Sequence, residues 1–284
     1  MRATCARIAA GAASVSIDLD AVARIEPGPP PALDPLRHYL DGSPAEVAAY
    51  FLTLDTVNFG SGWFPTLRKR AGSSGYFTVA WAIADRFRAH GPWSPAQLRA
   101  ITADEIAATL GQPRDHELMA LYAQALRALG RFLGDRDALG VARGARGSGQ
   151  ALAAELAGSM AMFADRGFYK RAQIVPANLA LAGVARFKDL HRLTIFADNL
   201  VPHVLRCDGV LRYEPALAEH IDGGRLLPAG RQEREIRACA VHACELIAAR
   251  AGASEHELDN WLWSRGQAPE YKARPRHRTR TVFY

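Results

Sequence analysis

The sequence predicts a mostly helical protein, and three observations carry that prediction: repeated helix-start signals, glycines that close the runs behind them, and apolar residues three and four apart in between. The starts are Ser43-Pro-Ala-Glu46, Ser94-Pro-Ala-Gln97, Thr102-Ala-Asp-Glu105 and Ser254-Glu-His-Glu257. In each, the hydroxyl oxygen can accept from a first-turn N–H while the acid or amide three residues on reaches back to the cap's own amide. Gly91, Gly111 and Gly134 stand where several of these runs should end. Leu118, Leu121, Tyr122, Ala125, Leu126 and Leu129 form the clearest apolar stripe.

Strand signals are few. Residues 193–196 and 280–283 read equally as short strands or as buried helix ends, because periodicity cannot separate the two over four residues. Residues 141–149, rich in Gly, Arg and Ser, read as a linker or surface loop. The Gly28-Pro-Pro-Pro31 segment sets off an N-terminal arm, residues 1–35, expected to be partly flexible, from a single helical domain over residues 36–284. No internal repeat is visible.

Composition bounds the class. A chain of 284 residues with 49% hydrophobic and 23% charged residues has ample core and is not disordered. The net charge of +6 suits an anionic ligand such as a phosphate, and equally an Ala/Arg-rich proteome. Cys5, Cys207, Cys239 and Cys244 show no CxxC spacing, which argues against a zinc site, and Cys239 and Cys244, five apart in a helical pattern, read as small core residues in a reducing cytosol. The first 13 residues lack the apolar run of a signal peptide, and no segment approaches 18 consecutive apolar residues. A soluble, cytoplasmic protein is expected.

Chemistry concentrates in the second half. Phe168-Tyr-Lys-Arg-Ala-Gln-Ile174, Leu193-Thr-Ile-Phe-Ala-Asp198, Asp259-Asn-Trp-Leu-Trp263 and His277-Arg-Thr-Arg-Thr-Val-Phe-Tyr284 each set a few charged or amide groups among aromatic and aliphatic ones. That mixture is typical of pocket linings, since a surface helix keeps its charges on a separate face. Asp198 is a lone carboxylate directly after Ile-Phe-Ala, with a Val-Pro pair close behind. Held in apolar surroundings it must pair, protonate or act on a ligand. A helix N-cap or a salt-bridge partner is the plain alternative.

Taken in order with Asp55-Thr-Val-Asn-Phe59, Ser74-Gly-Tyr76 and Gln232-Glu-Arg-Glu-Ile-Arg237, these motifs resemble the queuosine salvage family of N-glycosylases over nearly the whole chain. The resemblance implies one helical domain distantly like the helix-hairpin-helix DNA glycosylases, with a few short strands. It implies cofactor-free and metal-free hydrolysis of queuosine 5′-monophosphate, or a related 7-deazaguanine nucleotide, to the free base. Asp198 falls on the catalytic aspartate. A fixed carboxylate beneath C1′ stabilises the positive charge that builds on the sugar as the C–N bond breaks.

Other roles follow from the same resemblance. His38, Ile195, Phe196 and Asp259 are expected around the base, with Asn260 standing where the family carries an aromatic residue and Ser264 where it carries a second acid. Lys170 and Arg171 are the leading candidates for the 5′-phosphate, with Arg237 and the His277, Arg278 and Arg280 cluster behind them. The expected partner is a small nucleotide. No stable nucleic-acid complex, no membrane and a monomeric state are expected. A nucleic-acid base-excision glycosylase and a catalytically silent nucleotide-binding protein are the competing readings. The first leans on Leu226-Leu-Pro-Ala-Gly230, a weak hairpin signal, and on the basic residues 272–280.

Overall fold

The computed structural model describes residues 1–284. In chain order the first elements are α1 (Arg2–Ala10), β1 (Val15–Ile17), α2 (Leu19–Arg24), α3 (Pro44–Thr56) and α4 (Gly75–His90). Next come α5 (Pro95–Ala100), α6 (Ala103–Leu110), α7 (Glu117–Leu133), α8 (Ala138–Gly144), α9 (Gly149–Ser159) and α10 (Lys170–Leu181). The chain closes with α11 (Val201–Cys207), β2 (Leu211–Tyr213), α12 (Pro215–Asp222), α13 (Arg231–Ala251), α14 (Glu255–Arg265) and α15 (Pro269–Lys272). The protein is mostly α. Its one sheet is the antiparallel pair β1–β2, with Val15 opposite Tyr213 and Ile17 opposite Leu211.

The chain divides into two compact units. One holds residues 1–31, 166–170 and 191–281. Its core forms round α13, whose Ile236, Val241, Cys244 and Ile247 are fully buried against apolar residues of α1, α11, α12 and α14. The segment expected as an N-terminal arm contributes α1, β1 and α2 to this unit, and α1 packs along α13. Gly266, at the end of α14, lets that helix approach α11: a methyl group there would lie 2.8 Å from Leu200.

The other unit holds residues 32–165, 171–190 and 282–284. Its core is α3, α4 and α7 with the short α5, α6, α8 and α9 packed round them. Tyr50, Phe51, Leu54, Phe87, Tyr122 and Leu126 are its central side chains. The complete capping boxes at Ser43, Ser94 and Thr102 fix the starts of α3, α5 and α6, each worth roughly 1 kcal/mol. Gly91, Gly111 and Gly134 close α4, α6 and α7 as the sequence predicts.

Three local expectations differ. Residues 193–196 and 280–283 are neither strand nor helix. Residues 141–149 are not a linker, since they are taken up largely by the end of α8 and the start of α9. Ser254 precedes α14 without capping its amides, and its hydroxyl instead donates to Glu257.

Candidate active site

The site is organised by residues 193–199, an extended stretch leading into α11. With no strand beside it, this backbone is held by side chains. Arg2 donates to Leu193 O (3.0 Å) and through Nε to Glu255 (2.5 Å). Asp259, one turn further along α14, accepts the Phe196 N–H at 2.8 Å through Oδ1. Arg237 of α13 donates from Nε to Ala197 O at 2.9 Å. Asn199 donates to His277 O at 3.1 Å, which ties residues 276–278 to the same stretch. Main-chain groups buried here would each cost free energy if left unmade, so the clamps offset that penalty while fixing the backbone.

Asp198 sits at the end of this stretch, half-buried. Its Oδ1 accepts the N–H groups of Leu200 (2.7 Å) and Val201 (3.0 Å), at the start of α11. Two amides on one oxygen fix the carboxylate plane. Oδ2 accepts no hydrogen bond within the protein. One oxygen alone anchors the group to the protein.

Asp259 is the second carboxylate. It is buried at 4% exposure, and burial, with the negative charge of Asp198 adding to it, pushes its pKa up to about 8. The Phe196 amide and the Lys170 charge pull the other way without cancelling that. Asp259 therefore carries a proton near neutrality, beside the carboxylate of Asp198. A buried carboxyl kept protonated in this way equips a site with a hydrogen-bond donor.

Lys170 is buried and close enough to Asp259 to act on its ionisation. The preceding Tyr169 has φ 50°, in the left-handed region that a bulky side chain rarely enters. This strained residue lies directly before the lysine. The Arg237 guanidinium lies 4.0 Å from the Phe168 ring centroid and bonds Glu233 at 3.2 Å. His277 is buried, and burial together with the positive Arg237 drives its pKa down to about 3, so the ring is neutral.

The other expected residues are placed as follows. Ile195 and Phe196 are buried in the clamped stretch. Asn260 and Ser264 are half-buried on α14. An α-helix turns about 100° per residue, so Ser264 lies about 140° round from Asp259 and does not share its face. Asp198, Asp259, Lys170, Ile195, Phe196, Asn260 and Ser264 all belong to the first unit, whereas His38 and Arg171 belong to the second.

There, His38 is buried beside Tyr76, whose hydroxyl is 3.3 Å from Nε2, and burial lowers its pKa. Arg171 is 1% exposed, and its guanidinium bonds the main-chain oxygens of Thr56, Met162 and Val282 between the Phe59 and Phe163 rings. Also in this unit, Asn178 donates to both oxygens of the buried Asp55, at 2.9 and 3.0 Å. Sequence reasoning missed Arg2 and Glu255, which carry no local signal because their pairing spans 253 residues. No group of three or more His, Cys, Asp or Glu side chains comes together that could hold a metal ion, and no helix is long and apolar enough to cross a membrane.

The chain has relatives among known proteins. The model of the queuosine salvage protein family matches residues 38–284. A queuosine 5′-phosphate N-glycosylase/hydrolase of Sphaerobacter thermophilus is 35% identical over 99% of this chain and 96% of its own length. Another of the same name, from Nematostella vectensis, is 29% identical over 83% of this chain and 81% of its own. A third, from Dictyostelium discoideum, is 40% identical over 41% of this chain and 40% of its own. The chain belongs to the queuosine salvage protein family.

Proposed function

We propose that this protein is an N-glycosyl hydrolase that cleaves queuosine 5′-monophosphate, or a closely related 7-deazaguanine nucleotide, to the free base and ribose 5-phosphate. Asp198 is the residue that faces the reacting carbon. The observation that carries this reading is its divided carboxylate: Oδ1 is fixed by two helix-start amides, and Oδ2 has no partner in the protein.

In the reaction the bond between C1′ and the base nitrogen breaks, its electron pair leaves with the base, and positive charge develops across C1′ and the ring oxygen. A preorganised carboxylate oxygen stabilises that charge without reorganising during the reaction. Water then adds to C1′; its oxygen becomes the anomeric hydroxyl, and the proton it gives up balances the one gained by the base nitrogen.

A 7-deazaguanine base lacks the ring nitrogen that acid ordinarily protonates, so stabilisation of the leaving base must come from elsewhere. Asp259, protonated near neutrality, can donate to a base oxygen as negative charge spreads onto it. Ile195 and Phe196 supply the apolar surround, with Asn260 and Ser264 at its margin. Phosphate binding draws on Lys170 and other cations of the first unit. The substrate is a small nucleotide, with no membrane and no nucleic acid needed for turnover.

The reading is tested by incubating the protein with queuosine 5′-monophosphate, guanosine 5′-monophosphate and a queuosine-containing oligonucleotide, and separating released base by chromatography. Base release from the first alone is expected. Release only from the oligonucleotide would assign it to base excision, and tight nucleotide binding without release would make it a silent binder.

A further inference from the structure

Several cations of the first unit are committed to partners within the protein. Arg237 bonds Ala197 O and Glu233 and lies over Phe168. Arg206 and Arg274 share Asp222, Arg265 pairs with Asp208, and Arg278 bonds Gly224 O. His277 is neutral. Arg276 differs: it is half-buried and makes neither a hydrogen bond nor an ion pair.

Its position is fixed by its neighbours. Asn199 bonds His277 O at 3.1 Å, and Leu227 N–H bonds Arg278 O at 2.8 Å, so residues 276–278 run between the 198–199 turn and residue 227. Arg276 feels the charge of Asp198 without pairing to it. Burial penalises this guanidinium, and no carboxylate of the protein pairs with it.

We propose that Arg276 receives the phosphate monoester of the substrate. The assignment rests on the nucleotide reading above and adds a residue to it. The 5′-phosphate hangs across the ribose ring from the base, so its binding cation must lie within a ring's breadth of the carboxylate facing C1′. A guanidinium offers two parallel N–H groups to two phosphate oxygens and keeps its charge when partly desolvated, which an ammonium does less well. Grip on this remote group can offset distortion at the reacting carbon, so the residue acts on turnover as well as on binding.

The experiment compares the native protein with Arg276→Gln and Arg276→Lys, using queuosine 5′-monophosphate and unphosphorylated queuosine as paired substrates. Arg276→Gln is expected to lower kcat/KM for the monophosphate about 10- to 100-fold, the worth of a hydrogen bond to a charged group, while the nucleoside changes by less than about twofold. Arg276→Lys should recover part of the loss. Equal losses on both substrates would show that Arg276 acts through Asp198 and would overturn the assignment, as would an unchanged preference. Binding of ribose 5-phosphate, measured by calorimetry, separates this from the glycosidase reading. If the native protein releases no base from any substrate but binds ribose 5-phosphate, and Arg276→Gln weakens that about 10-fold or more, the phosphate assignment stands and the glycosidase reading fails. Equal ribose 5-phosphate affinity in the two proteins would remove Arg276 from the phosphate site.

Discussion

Asp259 Oδ1 accepts the Phe196 N–H at 2.8 Å, so the residue that keeps a proton near neutrality also holds the backbone leading to Asp198. Both roles survive in Asp259→Asn, which keeps an acceptor for the amide and a donor for a ligand but cannot ionise. The groups facing Asp259 are Asp198, Lys170, the Phe196 amide and, from α13, Cys244. With a pKa of about 8 in the folded protein, native activity should decline as pH rises through that value, while the Asn variant holds its activity. A native decline that Asp259→Asn reproduces at the same pH would assign it to another group.

The same shift acts on stability with a definite sign. Below the ordinary value of 3.8 both folded and unfolded chains keep the Asp259 proton. Between 3.8 and about 8 only the unfolded chain releases it, so this group's contribution becomes less favourable as pH rises, and it levels off above about 8. Urea midpoints of the native protein and Asp259→Asn, compared from pH 5 to 9, should diverge in favour of the variant as pH increases. A constant difference would contradict the shift.

His277 works in the opposite direction. Its ring stays neutral in the folded protein down to about pH 3, whereas the unfolded chain takes up a proton below about 6.5. The unfolded state binds more protons in that window, so stability falls as pH drops from 6.5 toward 3. His277→Gln should flatten the acid limb between pH 4 and 6, read from fluorescence-monitored unfolding. An unchanged limb would place the acid sensitivity elsewhere.

Arg171 was expected as a phosphate contact, and its guanidinium is instead spent on the carbonyls of Thr56, Met162 and Val282. Arg171→Met leaves these oxygens without their donor and should cost at least about 3 kcal/mol of stability. The preference for phosphorylated substrate should persist in whatever fraction folds. A stable Arg171→Met protein that loses that preference would return Arg171 to the substrate.

How far the sequence reveals this arrangement depends on the range of the interactions. The helix starts at Ser43, Ser94 and Thr102 are legible because each cap is completed within three residues. The β1–β2 pair is not, since three-residue strands carry almost no periodic signal and their partners lie nearly 200 positions apart. Residues 193–196 are too few for periodicity to separate a strand from a buried helix end, and they are neither: the backbone there is satisfied by Arg2, Asp259 and Arg237. Asp198 was legible as an exceptional carboxylate. That it anchors on the start of α11 through one oxygen combines the N-cap alternative with the functional one.

The most direct measurement is base release by Asp198→Asn on queuosine 5′-monophosphate, beside nucleotide binding and thermal unfolding of the same variant. The amide oxygen of Asn can still accept from Leu200 and Val201, so folding and binding should be retained. Turnover should fall at least about 100-fold, the scale of losing one preorganised electrostatic group. Near-native turnover in a folded Asp198→Asn protein would contradict the account.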